Sequence, residues 1–235
     1  MATAHGLCRP DRRWFVSVDG WREEDHAPLV HAMLTDLPHD LYTRIDGQDQ
    51  QALEQWSRYG FRPHRRELEF LIPPDPERTG LQGTLVPEGV ALLPAEDVDE
   101  TELRKLDDRL RNDIAGTTGW VNDPAEFSDY VFDDQRYDAA CNLVAIDDRR
   151  RQLAGLVRIW LSSTRARLNL VAVTRAYRRR GLARAMLAAA LAPVAERGIL
   201  EVMAEVDDSN VAGQALLRGI GAVETGSSLV LEREL

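Results

Sequence analysis

The segment Arg178-Arg179-Arg180-Gly181-Leu182-Ala183 stands between an alternating apolar run, Leu168 to Val173, and an alanine-rich stretch of helical character. That order reads as strand, glycine turn and helix start. A helix start presents unpaired N–H groups and the positive end of the macrodipole, so an anion can dock there. Gly181 lets the main chain come close to such a ligand, and three arginines add attraction. The chain is thereby constrained to an α/β arrangement in which a strand feeds an anion-binding helix. Neither the phosphate-loop spacing Gly-x-x-x-x-Gly-Lys-Ser/Thr nor the dinucleotide spacing Gly-x-Gly-x-x-Gly fits the segment. What fits is Arg-x-x-Gly-x-Ala.

A solvated arginine run on a tight turn would look the same in isolation, so the context decides. Leu200 to Val206 reads as another strand, and Asp207-Asp208-Ser209-Asn210 as the start of a helix that runs to Gly221. The spacing Asn-x-x-Gly-x-x-Leu-x-x-x-x-Gly, carried by Asn210, Gly213, Leu216 and Gly221, follows the first motif after one helix and one strand. In both motifs and in their order the chain resembles the GNAT superfamily of acyl-CoA-dependent N-acyltransferases. The first motif is similar to that superfamily's pyrophosphate-binding loop.

Other elements extend the resemblance. Val90 to Leu93 reads as a strand, Glu100 to Ile114 as a charged amphipathic helix and Pro124 to Phe132 as a short helix. Strands follow at Asn142 to Ile146, Gly155 to Ser162 and Leu168 to Val173, and a last one at Ser228 to Glu232. The resulting order over residues 88–235 resembles a whole GNAT domain, which implies a mixed α/β fold with a central, mostly antiparallel sheet flanked by helices. Pro193 inside the alanine-rich helix, Ala183 to Arg197, should kink or shorten it.

A Pro/Gly-rich stretch over residues 73–87 reads as a linker. The part before it, residues 1–72, repeats the second half of the later pattern. Trp14 to Val18 reads as a strand, Leu29 to Leu37 as a helix, Leu41 to Ile45 as a strand, Asp49 to Gly60 as the second motif helix and Arg65 to Ile72 as a closing strand. Glu23, Glu24 and Asp25 take the place of the three arginines, and His26 that of the turn glycine. An acidic loop repels a pyrophosphate, so this segment is expected to be a degenerate, structural GNAT-like half-domain without cofactor and without a whole domain's opening strands.

A 44% hydrophobic content over 235 residues can fill a core, and no apolar run reaches the roughly 18 residues a membrane span needs. The N-terminus has no basic-then-apolar signal pattern, which makes the cytoplasm the default location and leaves no membrane role. Cys8 and Cys141 lie far apart without partners at metal spacing, so neither a disulfide framework nor a metal site is expected. A net charge of −10 argues against nucleic acid and favours a cationic substrate.

The resemblance implies acetyl-CoA or a related acyl-CoA as cosubstrate, lying where the strand ending at Val173 splays from the strand at Leu200 to Val206. The phosphates would sit on the N–H groups of Arg178, Arg179, Arg180, Gly181, Leu182, Ala183 and Arg184. Main-chain groups of Val171, Ala172 and Val173 would pair with the pantetheine arm, one of them polarising the thioester carbonyl. Asn210 would reach the same arm, although an ordinary helix N-cap explains it as well.

An alkylamine acceptor sits about three pKa units from neutrality, so deprotonating it without help costs roughly 4 kcal/mol. A carboxylate base is expected, and Glu205 lies where some relatives place one; Glu201, nearby, is equally plausible by position. Many relatives carry a tyrosine acid seven residues after the asparagine, where this chain has Leu217. Tyr130 or Tyr137 could substitute, and Asn169 offers no base. Trp120, Phe127 and Tyr130, with Glu126, Asp129, Asp133 and Asp134, would suit an amine beside an apolar group, and a charged helix face with aromatic core contacts explains the same residues. The activity implied is acetyl transfer to an amine of a small molecule or peptide by direct attack in a ternary complex, by a chain that can also form a homodimer; the alternative is a non-catalytic acyl-CoA-binding or interaction protein on the same fold.

Overall fold

The computed structural model describes residues 3–19, 23–37, 40–133, 135–162 and 165–234, and the side chains of Glu23, Glu24 and Asp25 lie outside the description. The chain forms two compact units, residues 1–68 with 226–235, and residues 69–225.

The first unit opens with β1 (Thr3–Cys8), antiparallel to β2 (Trp14–Asp19). Next come α1 (Glu23–Asp36), β3 (Leu41–Asp46), α2 (Gln50–Ser57) and β4 (Arg62–Ile72), which leaves the unit at Leu68. Strand β1 was not legible because Thr-Ala-His-Gly-Leu-Cys does not alternate and its side chains are mostly exposed. It supplies an opening strand where none was expected. Helix α1 begins at Glu23 rather than Leu29, so the acidic triplet forms its first turn instead of a loop. Strands β2 and β3 are parallel, joined through α1, and α2 starts on Asp49, whose side chain accepts the Ala52 N–H at 2.8 Å. Val16, Val30, Leu41, Trp56, Phe61 and Leu231 pack this unit's core.

The second unit contains α3 (Pro76–Thr79), a single turn within the expected linker, then β5 (Val90–Pro94), α4 (Glu100–Asn112) and α5 (Phe127–Val131). Strands β6 (Asn142–Asp147), β7 (Gln152–Leu161) and β8 (Ala166–Val173) continue the antiparallel run from β5. After them come α6 (Leu182–Glu196), β9 (Val202–Asp207), α7 (Val211–Arg218) and β10 (Val223–Arg233), which passes into the first unit at Gly226. The strand order is β4-β9-β8-β7-β6-β5 here and β1-β2-β3-β10-β4 in the first unit, a mixed, mostly antiparallel, helix-flanked arrangement in each.

Leu103, Leu106 and Leu110 form the apolar stripe of α4 and pack with Phe127, Val131, Val144, Leu156 and Leu170. Helix α6 buries Leu182, Met186, Leu187, Ala190 and Val194. A Cβ at Gly155 of β7 would stand 2.8 Å from the Ala172 carbonyl and 3.1 Å from the Met186 sulfur, so only glycine admits this close packing. Pro193 does not end α6, which continues to Glu196, the Arg197 N–H bonding the Pro193 carbonyl at 3.3 Å. Near the last turn a proline forfeits only one helical bond, which the apolar face outweighs.

Candidate functional site

Strands β8 and β9 run parallel and pair from Ala166–Val202 to Leu168–Ala204. Beyond Leu168 no pairing with β9 occurs among the described residues, so the C-terminal part of β8 has one open side. The β7–β8 register shifts between Arg158, opposite Leu170, and Ile159, opposite Leu168, which makes Asn169 the extra residue of a bulge. The Thr174 N–H donates to the Ala154 carbonyl at 2.8 Å. By the alternation of an antiparallel ladder, Ala172 therefore turns its N–H and C=O to β7, and Val171 and Val173 turn theirs to the open side. Of the three residues with main-chain groups expected to meet the pantetheine arm, Val171 and Val173 turn theirs to the open side and Ala172 turns its own to β7.

From Val173 the chain passes through a short turn to Gly181, which caps α6 with φ of 80°. Nothing lies within 4 Å of where its Cβ would be, so the space before the helix is open. The first helical bond of α6 runs from the Ala185 N–H to the Gly181 carbonyl. Among the described residues, the N–H groups of Arg179, Arg180, Gly181, Leu182, Ala183 and Arg184 meet no acceptor. Six successive free donors at a helix head form a candidate anion cradle.

The arginines divide their roles. Arg178 donates its own N–H to the Arg175 carbonyl, its Nε to the Val173 carbonyl at 2.9 Å and an Nη to Asp113 at 3.1 Å. Arg175 also reaches Asp113, at 2.9 Å, and that hydrogen bond, with the nearby guanidinium charges, holds the Asp113 carboxyl below the usual range. Arg178 thus ties the loop to the end of α4 and does not join the free donors. Arg179 and Arg180 are exposed, with Arg180 above the Tyr177 ring. The Tyr177 hydroxyl donates to Asp147 at 2.6 Å and anchors the turn. The Arg184 guanidinium bonds the carbonyls of Gly219 and Gly80, leaving only its N–H for the cradle.

Asn210 caps α7, its Oδ1 accepting the Gly213 N–H at 2.9 Å. Glu205 sits on β9 with its Oε2 receiving Arg167 of β8 at 2.7 Å, so it can take a proton only in competition with that guanidinium. Leu217, where relatives carry a tyrosine, is a buried core residue. Tyr137 lines a hollow of about 380 Å³ with Arg197 and Ile199, at the opposite end of α6 from Gly181, and burial together with Glu96 raises its phenol pKa.

The aromatic residues expected to meet substrate separate. Phe127, 1% exposed, belongs to the core under α4. Trp120, 3% exposed, donates to Asn122 and lies 4.2 Å beneath the Arg111 guanidinium. Apolar burial outweighs ligand contact at both. Tyr130 is half-buried, edge-on to Trp160 at 5.4 Å, and packs against the edge of the same core. Asp134 lies outside the described residues.

A buried polar network escaped the sequence reading. Asp107 receives Arg158 at 2.9 Å, Arg111 at 2.8 Å and Asn122 at 3.1 Å, and Arg111 passes a further bond to Asn169 at 2.8 Å. Burial pushes the Asp107 carboxyl up, but Arg158 and Arg111 more than offset it and hold the group below its ordinary value. Arg158 is fully buried, with Nε and one Nη unpaired among the described residues. The available signal was positional. Asp107 and Arg111 fall on the apolar stripe of α4, and Arg158 interrupts the apolar run of β7. Among the described residues no cluster of ligating side chains could hold a metal, and no helix is long and apolar enough to cross a membrane.

Residues 107–222 match the acetyltransferase (GNAT) family. No curated protein matches the chain. Among solved structures it is similar to a GCN5-related N-acetyltransferase from Sphaerobacter thermophilus, with 18% identity, 99% of this chain and 76% of that one covered, and a TM-score of 0.71. It is similar also to a tandem GNAT protein from the clavulanic acid biosynthesis pathway, with 15% identity, 96% and 75% coverage and a TM-score of 0.73. A GCN5-related N-acetyltransferase from Kribbella flavida gives 13% identity, 98% and 86% coverage and a TM-score of 0.61. At these identities the likeness is one of fold.

Proposed function

With residues 107–222 forming a domain of the acetyltransferase (GNAT) family, we propose that the chain transfers an acetyl group from acetyl-CoA to an amine of a small molecule or peptide, by direct attack in a ternary complex. The observation that carries this reading is the head of α6, with six free N–H groups and open space before Gly181. It fits the pyrophosphate of an acyl-CoA, which supplies a thioester-activated acyl group. The N–H groups of residues 179–184 hold the phosphates, with Arg179 and Arg180 adding charge. The open edge of Val171 and Val173 pairs with the amide-bearing arm, and one N–H donates to the thioester carbonyl as negative charge grows there. Asn210 offers its Nδ2 to the same arm while capping α7. Glu205 exchanges its Arg167 partner for the incoming ammonium and takes one proton from it; the neutral amine then attacks the thioester carbon, the N–C bond forms as the C–S bond breaks, and the second nitrogen proton passes to the departing thiolate. Tyr130 forms part of the acceptor wall.

Residues 1–72 are proposed to be a degenerate, structural half-domain. The parallel β2 and β3 joined by α1, and the Asp49 cap of α2, reproduce in kind the parallel β8 and β9 joined by α6 and the Asn210 cap of α7. A second reading, acyl-CoA binding without turnover, is favoured by Leu217 in the core and by the engagement of Glu205 with Arg167. Free-thiol release from acetyl-CoA across a panel of amines separates the two. Release above the amine-free rate with at least one acceptor is expected; binding of acetyl-CoA with no release from any acceptor would establish the second reading.

A further inference from the structure

The bulge residue Asn169 is the first residue of β8 beyond its pairing with β9, so the bulge marks the point where the site opens. A bulge leaves its extra residue unpaired in the ladder, and something else must hold it. Here the Asn169 Oδ1 accepts from Arg111, Arg111 is bound by Asp107, and Asp107 binds Arg158, which faces Leu170 on the other side of the bulge. One chain of hydrogen bonds, anchored in α4, therefore grips both strands at the irregularity. Trp120 beneath the guanidinium and Asn122 on Asp107 fix the orientation of the grip. The register is what matters, because a slip of one residue would exchange the roles of Ala172 and its neighbours: Val171 and Val173 would turn to β7, and Ala172 to the open side.

We infer that Arg111, held by Asp107, is a positioning residue that pins the Asn169 bulge and so determines which main-chain groups of β8 face the acyl-CoA arm. The inference rests on the acyl-CoA reading above for its ligand, but not for its geometry. The geometry is read by amide hydrogen exchange on the full chain without ligand. In the wild type the Ala172 N–H, bonded to β7, is protected more than those of Val171 and Val173; in Arg111→Met that order is lost or inverted. The ligand consequence is read by calorimetry with acetyl-CoA and with adenosine 3′,5′-bisphosphate, the nucleotide end of coenzyme A without its arm. Arg111→Met is expected to weaken acetyl-CoA at least tenfold while the bisphosphate changes less than twofold. Asn169→Asp, which keeps an acceptor for Arg111, should bind both as the wild type does. Should Arg111→Met not fold, Asn169→Ala carries the same selective loss. An unchanged exchange order, equal acetyl-CoA affinity, or parallel loss of both probes in a folded variant overturns the inference. A wild type that binds neither probe overturns the acyl-CoA reading, while the exchange order still decides the role of Arg111.

Discussion

Asp107 and Arg158 form a buried ion pair whose two members should respond very differently to substitution. Arg158 is fully buried, and Asp107 is its hydrogen-bonded partner at 2.9 Å. Asp107→Asn keeps the volume but leaves both Arg158 and Arg111 without a counter-charge. Breaking a buried pair from one side costs about 3–5 kcal/mol. At roughly 2–4 °C per kcal/mol for a chain of this size, the melting temperature should fall by about 6–20 °C. Arg158→Met is a different perturbation. Asp107 keeps Arg111 and Asn122, while an unbranched side chain fills most of the space and the two unpaired guanidinium nitrogens disappear. The lost charged hydrogen bond, about 1.5–3 kcal/mol, is set against the relief of unsatisfied donors at about 1–3 kcal/mol, and the net lies near zero. Differential scanning fluorimetry of both variants is the assay, with pH as the second axis. The depressed Asp107 carboxyl contributes stability that is complete above the ordinary carboxylate range and is lost as the pH falls through the lower, folded-state value. Asp107→Asn should therefore flatten the acid arm of stability against pH. Equal losses in the two variants, or an unchanged acid arm in Asp107→Asn, would refute the account of the network.

Three further outcomes follow from the site. Gly181→Glu places a β-carbon at φ of 80° and a negative charge before the donors of α6, so calorimetric acetyl-CoA affinity should drop at least tenfold, about 1.4 kcal/mol; undiminished affinity would remove the loop from the cradle. Glu205→Gln should lower turnover by roughly two to four orders of magnitude with acetyl-CoA affinity nearly intact, partly recovered at higher pH; a thiol-release rate equal to wild type at pH 7 would remove Glu205 from the chemistry. Deleting residues 1–68 takes away β3, which pairs Ser228–Arg233 of β10 and covers the buried Val230 and Leu231. Fragment 69–235 should self-associate by light scattering and fragment 69–225 less so, whereas a monomeric 69–235 would contradict this.

What was legible in the sequence was local. Gly181 and Asn210 announce themselves because a left-handed cap and an N-capping side chain act within a few residues of their own position. The strand and helix order of residues 90–221 followed from periodicity for the same reason. Elements whose stability comes from elsewhere were not readable: β1 has no alternating face, and the early start of α1 runs through Pro28. The polar network is the extreme case. Arg158 meets Asp107 across 51 residues, and Arg111 meets Asn169 across 58. No spacing rule joins such positions until α4 is laid on the sheet.

The loop illustrates how folding reassigns a charge that composition counts equally. Three consecutive arginines suggest that anion binding scales with side-chain charge, yet Arg178 is committed to Asp113 and to the Val173 carbonyl. Asp113 also holds Arg175, so one carboxylate neutralises part of the basic run at the end of α4. What is left for an anion is the oriented row of N–H groups, assisted by Arg179 and Arg180 in solvent. Exposed guanidinium groups attract an anion from a distance through salt, which screens them beyond about 10 Å at 0.1 M, and must be ordered to touch it, whereas the amide donors are already fixed in place. On the acyl-CoA reading, affinity at this loop should therefore depend more on the left-handed turn at Gly181, which sets the direction of the amides, than on the number of arginines before it.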